Sequence, residues 1–119
     1  MSFSILLVEP DFLALETTSE MLTFAGFRTV GLQNVEMALG ALQAISIDVA
    51  IFSSGPEDPS GAEFAIAAKR IQPALKVIIA TGSSFSGRLN THADATLHKP
   101  YLLQEINSLV RQLCHTKIH

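Results

Sequence analysis

Three short apolar runs organise the chain: SILLV (4–8), VAIF (49–52) and VIIA (77–80). Each is continuous rather than alternating, rich in branched aliphatic residues, and bounded by polar or turn-forming residues. Runs of this kind predict strands covered on both faces, the environment of a parallel sheet between helical layers. RTVGL (28–32) and ATLH (95–98) are two more polar strand candidates.

Between the strands the apolar positions recur at helical spacing. Ala14, Thr18, Met21, Leu22 and Ala25 form one stripe, and Gly26 stands where a C′ glycine ends a helix. Phe24 and Phe27, beside that end, are read as core residues or a hydrophobic cap contact. Asn34 is the expected N-cap of a helix burying Val35, Ala38, Leu39 and Leu42. Phe64, Ala68 and Ile71 repeat the period until Pro73 stops it. Leu102, Ile106, Leu109, Val110 and Leu113 make the clearest stripe. The segment SSFSGRLNTHAD (83–94) has only Phe85 and Leu89 as large apolar residues, so a short or irregular helix is expected there. The order is β-α-β-α-β-α-β-(short segment)-β-α. It implies an α/β fold, a parallel sheet with right-handed crossovers and helices on both faces.

Composition bounds this picture without redirecting it. A chain of 119 residues, 48% hydrophobic and 16% charged, is one domain (1–119) with a substantial core rather than a disordered segment. No apolar run is long enough for a membrane span. MSFSILLVEP lacks a basic flank and reads as the first element of the fold rather than a signal peptide. A single cysteine, Cys114, allows no internal disulfide, and a reducing cytoplasm is the expected setting. Net charge is −3 with no basic cluster, which argues against a nucleic-acid partner.

In an open parallel sheet, ligands bind beyond the carboxyl ends of the strands, where strand order reverses. The first strand delivers Glu9, Pro10 and Asp11 to that edge, and the third delivers Ser53 and Ser54. The fourth brings Thr81 and Gly82, and the fifth Lys99 and Pro100. An acid, two hydroxyls and a lysine therefore converge.

That set resembles the receiver domain of bacterial two-component response regulators along the whole chain. The resemblance is carried by ILLVEPD, DVAIFSSGPEDPSG, VIIATG and ATLHKP. It implies a flavodoxin-like, doubly wound, five-stranded sheet in the order 2-1-3-4-5 with five helices, the fourth short or irregular here. In the family an aspartate ending strand three accepts a phosphoryl group from a histidine kinase, and acids ending strand one help to bind Mg²⁺. A hydroxyl after strand four and a lysine before a proline then contact the phosphoryl group. Carried over by position, Thr81 is the hydroxyl, Lys99 the lysine, and Glu9 and Asp11 match the flanking acids. Counting back from Gly61, the acceptor position falls on Ser53, and the direct metal-ligand position falls on Pro10. The resemblance also implies a cis Lys99–Pro100 bond.

These two departures carry a functional expectation. A carboxylate is ionised at neutral pH, whereas a serine hydroxyl needs a neighbouring base to become nucleophilic. Mg²⁺ wants octahedral oxygen ligation through one or two carboxylates, and Pro10 supplies no side-chain oxygen. The expected site is a degenerate, metal-free pocket of Glu9, Pro10, Asp11, Ser53, Thr81 and Lys99. In it Lys99 and Glu9 neutralise each other, and no Mg²⁺ or other cofactor is held. The position three before the lysine is Thr96, which cannot serve as the family's aromatic switch, so the usual signalling face should be remodelled. The expected function is a stand-alone pseudo-receiver in a two-component phosphorelay, not an enzyme. It would act by binding a histidine kinase, a phosphotransfer protein, another response regulator or a second copy of itself.

Taken singly, each residue has a plainer reading. Ser53 and Ser54 are an ordinary polar strand end, Glu9 and Asp11 suit a helix N-terminus, and Pro10 fits as an early helix residue. GPEDPSG reads as a polar turn, and Cys114, His115 and His119 crowd a chain end rather than form a metal site. Two other functions stay open from the sequence. One is an atypical receiver phosphorylated on Ser53 or on a nearby acid such as Asp11 or Asp58. The other is a flavodoxin-like small-molecule binder, which Glu9-Pro10-Asp11 disfavours by placing acids where a flavin phosphate would sit.

Overall fold

The computed structural model describes residues 3–54, 60–82 and 92–114. Five strands, β1 (Ser4–Val8), β2 (Arg28–Leu32), β3 (Val49–Ser54), β4 (Lys76–Thr81) and β5 (Ala95–His98), form one parallel sheet in the order β2-β1-β3-β4-β5. Among the described residues the helices are α1 (Phe12–Phe24), α2 (Val35–Ala44), α3 (Ser60–Ile71) and α4 (Leu103–Cys114). All five strands, and four of the helices, thus occur where the periodicity places them.

The continuous apolar runs are explained by two cores, one on each sheet face. Side chains alternate across a strand, so Ile5 and Leu7 face one side while Leu6 and Val8 face the other. Ile5, Leu7, Ile51 and Ile78 pack with Leu15 and Leu22 of α1 and with Ile106 and Val110 of α4. Leu6, Val8, Phe52 and Val77 pack with Ala38 and Leu42 of α2 and with Phe64 and Ala68 of α3. The Phe52 and Phe64 rings stack at 5.1 Å between centroids. Each such buried aliphatic or aromatic side chain contributes about 1.5–3 kcal/mol of transfer free energy.

Helix ends follow local chemistry. Asp11 caps α1 through Oδ2, which accepts from Ala14 N at 3.0 Å, and Asn34 caps α2 through Oδ1, which accepts from Met37 N at 2.8 Å. At the far end of α1, Gly26 has φ +103°. Its N–H bonds Thr23 O at 3.0 Å and Phe27 N bonds Leu22 O at 3.1 Å, closing the paired turn that a left-handed glycine permits. Gln72 ties the ends of α2 and α3 together. Its Nε2 donates to Leu42 O and Ile45 O, both at 2.7 Å, and its Oε1 accepts from Ile47 N at 3.1 Å.

Several expectations need correction. Phe24 is 90% exposed; Phe27 alone takes the buried place beneath the helix end. Leu102 precedes α4 and is 61% exposed, so the buried stripe of that helix begins at Ile106. In α1 the residues buried in the core are Leu15 and Leu22, while Ala14, Thr18 and Met21 are only half-buried. Pro10 lies outside the helix, one residue before the Asp11 cap. β3 runs two residues past the VAIF run, through Ser53 and Ser54. Of segment 83–94 only His92–Asp94 lies among the described residues, as an irregular bend. Most of GPEDPSG, with Asp58, lies outside the described residues, as do His115 and His119.

Candidate functional site

Strand register decides what meets at the carboxyl edge. Val8 lies beside Phe52, Ser54 beside Thr81, and Thr81 beside His98. Glu9, Ser53, Thr81 and Lys99 therefore emerge at neighbouring ends of β1, β3, β4 and β5. The edge spans the reversal of strand order between β1 and β3, where such sheets place their ligands. Of the four buried polar or charged residues among those described, Glu9 (8% exposed), Ser53 (2%) and Thr81 (6%) stand here. The fourth, Ser4, sits at the opposite edge and bonds Asp48.

Each side chain is held by backbone. Glu9 N donates to Leu32 O at 2.9 Å, extending the β1–β2 ladder past its last residue. Its Oε2 accepts from Asp11 N at 3.0 Å, which fixes the carboxylate against the start of α1. Asp11 is exposed and its Oδ2 is engaged in the helix cap. Pro10 is exposed too, and its carbonyl accepts from Gln33 Nε2 at 3.1 Å. Lys99 N donates to Thr81 O at 2.9 Å, and the Lys99–Pro100 peptide is cis.

From that position the lysine side chain crosses over the end of β4. Its Nζ donates a hydrogen bond to Ser53 Oγ and lies 3.7 Å from Glu9 Oε1. The structure thus joins Glu9, Ser53 and Lys99 directly and places Thr81 on the strand between Ser53 and Lys99. It keeps Pro10 and Asp11 at the rim, their side chains turned to solvent and to the helix cap. Among the described residues no group of three or more His, Cys, Asp or Glu is placed to hold a metal ion.

Sequence reading missed Tyr101 and the cleft that it helps to form. Between α1 and the β5–α4 junction lies a cleft of about 440 Å³, lined by Ala14, Thr17, Thr18 and Met21 of α1, by Lys99, Pro100 and Tyr101 of the junction, and by Glu9. Burial raises the Tyr101 phenol above its ordinary value of 10.0, a hydrogen bond with the Thr18 side chain partly offsets this, and the nearby Glu9 carboxylate adds to the rise. The available signal was the helical position of Thr18 in a stripe otherwise apolar.

No family model matches the sequence, and no curated protein does so. Solved structures do match. The chain superposes on a CheY-like response regulator receiver domain from Methanospirillum hungatei with a TM-score of 0.81, 23% identity and 98% of each chain covered. A response regulator of Thermotoga maritima, solved with Mg²⁺ and beryllium fluoride, matches at TM-score 0.80 and 25% identity over 93% of this chain and 98% of that one. The receiver domain of a sensor histidine kinase from Pseudomonas aeruginosa, with magnesium in its active-site cleft, matches at TM-score 0.81 and 17% identity over 97% and 99%. The chain has the receiver-domain fold of two-component response regulators.

Proposed function

We propose that this domain is a pseudo-receiver: a non-catalytic protein-interaction module of a two-component phosphorelay that is not switched by aspartyl phosphorylation. The observation that carries this reading is the hydrogen bond from Lys99 Nζ to Ser53 Oγ at the end of β3. In the receiver pattern that strand end holds the acceptor carboxylate, and here it holds a neutral hydroxyl. The residual charge of Lys99 is met instead by Glu9.

Mg²⁺ does not fit this donor set. Glu9 has one oxygen committed to Asp11 N and the other facing the ammonium of Lys99. Pro10 has no side-chain oxygen, and Ser53 Oγ already accepts from Lys99. A divalent ion would have to displace a paired cation and would gain a single carboxylate, well short of the octahedral oxygen shell it needs. Output then passes through the surface, to a histidine kinase, a phosphotransfer protein, another response regulator or a second copy of the chain.

The test is an amide NMR titration with Mg²⁺ and beryllium fluoride. The expected spectrum is unchanged at Ser53, Thr81 and Lys99. Specific shifts at those three amides, or a stable gain of one phosphate in intact mass after incubation with a kinase, would overturn the reading.

A further inference from the structure

We propose that the cleft between α1 and the β5–α4 junction binds a free α-amino acid with an apolar side chain, its ammonium on Glu9 and its carboxylate on Lys99. Glu9 and Lys99 both line the cleft, with Glu9 Oε1 and Lys99 Nζ 3.7 Å apart. That separation exceeds a direct hydrogen bond, so each group keeps capacity for another partner. The ammonium has three donors, and Ser53 Oγ takes one of them. Glu9 Oε2 is anchored by Asp11 N at 3.0 Å, and Oε1 is the oxygen on the Lys99 side.

The charge pattern selects the class of ligand. A ligand with a single charge meets one attractive and one repulsive group at nearly equal range. A purely apolar ligand takes water from an ion pair whose partners stand 3.7 Å apart and gives neither a new bond, which is costly. A zwitterion with both charges on one carbon satisfies both. The walls then set the side chain. Ala14, Met21, Pro100 and the Tyr101 ring are apolar, and about 440 Å³ accommodates a leucine- or phenylalanine-sized group.

This goes beyond the interaction reading and does not depend on it, since the ligand would signal occupancy without any phosphoryl chemistry. Amide spectra of the labelled protein are titrated with L-leucine and L-phenylalanine. Saturable shifts are expected at Glu9, Thr18, Met21 and Tyr101. N-acetyl-L-leucine, which lacks the ammonium, and L-leucinamide, which lacks the carboxylate, should each bind at least about tenfold more weakly. Changing Glu9 or Lys99 risks the fold by leaving the other charge alone, so the deciding variant is Thr17→Trp. Thr17 is exposed at the mouth of the cleft, and a bulky residue there should abolish the shifts while the core resonances stay in place. The proposal is overturned by the absence of saturable shifts with either amino acid. Equal binding of the blocked analogues, or undiminished binding to the Thr17→Trp protein, would overturn it too.

Discussion

Lys99 reaches across the end of β4 to donate to Ser53 Oγ at the end of β3, and the same ammonium stands 3.7 Å from Glu9 at the end of β1. One side chain just past the edge strand β5 therefore links the carboxyl ends of β5, β3 and β1. Its side chain is about one-third exposed while the Glu9 side chain is almost wholly buried. The lysine is accordingly the element that makes a buried carboxylate tolerable.

Removing that cation should cost stability. Lys99→Met is expected to lower the unfolding free energy by about 1–3 kcal/mol, because the buried Glu9 carboxylate loses its counter-charge. Glu9→Gln added to Lys99→Met should recover part of the loss, so that urea unfolding of the two single variants and the double variant gives a non-additive cycle. Additive losses would show that the two groups do not interact.

The receiver pattern can be rebuilt as a direct check on the proposed function. Ser53→Asp together with Pro10→Asp restores two carboxylates around Glu9, and this variant should take up Mg²⁺, with shifts confined to the ends of β1, β3 and β5. Ser53→Asp alone should bind the ion much more weakly. Equal Mg²⁺ uptake by the unmodified protein would remove the basis for a metal-free pocket.

Tyr101 is the only tyrosine and the chain has no tryptophan, so phenolate absorbance reports one site. Its midpoint in the folded protein should lie above 10.0 and return to about that value in urea, since burial is the main cause of the rise. Glu9→Gln should bring the folded midpoint down by removing the neighbouring negative charge. Because the folded value exceeds the unfolded one, the unfolded chain releases its proton first. The linked stability is intact below pH 10 and is lost as pH climbs from there through the folded midpoint.

Two backbone positions should be costly to change. Gly26→Ala places a Cβ at φ +103° and is expected to destabilise by about 1–2 kcal/mol, although no neighbour lies within 4 Å of that Cβ. Asn34→Ala removes the acceptor for Met37 N at the start of α2, worth about 1 kcal/mol. Thermal melts of both variants provide the check. An unchanged Gly26→Ala melt would mean that the chain relaxes out of the left-handed turn.

Local pattern carried the fold because both periodicities survive in it. SILLV and VAIF read as doubly covered strands, and the structure buries alternate residues of each in opposite cores. Gly26 and Asn34 announced helix ends through chemistry confined to a few neighbouring residues. Phe24 and Leu102 were misjudged because hydropathy does not say which side of a helix end faces the core.

The sequence alone therefore determined the order of strands and helices along the chain, the end of α1 at Gly26, the start of α2 at Asn34 and the residues delivered to the carboxyl edge. Those follow from local hydrogen bonding and from the spacing of apolar side chains. Only the tertiary structure decided that Lys99 bonds Ser53 rather than pointing to solvent, that Asp11 is engaged in a helix cap, and that Thr18 and Tyr101 line a common cleft. Each depends on the parallel register and on how α1 and α4 seat against the sheet, geometry set by packing between residues as far apart as Glu9 and Lys99.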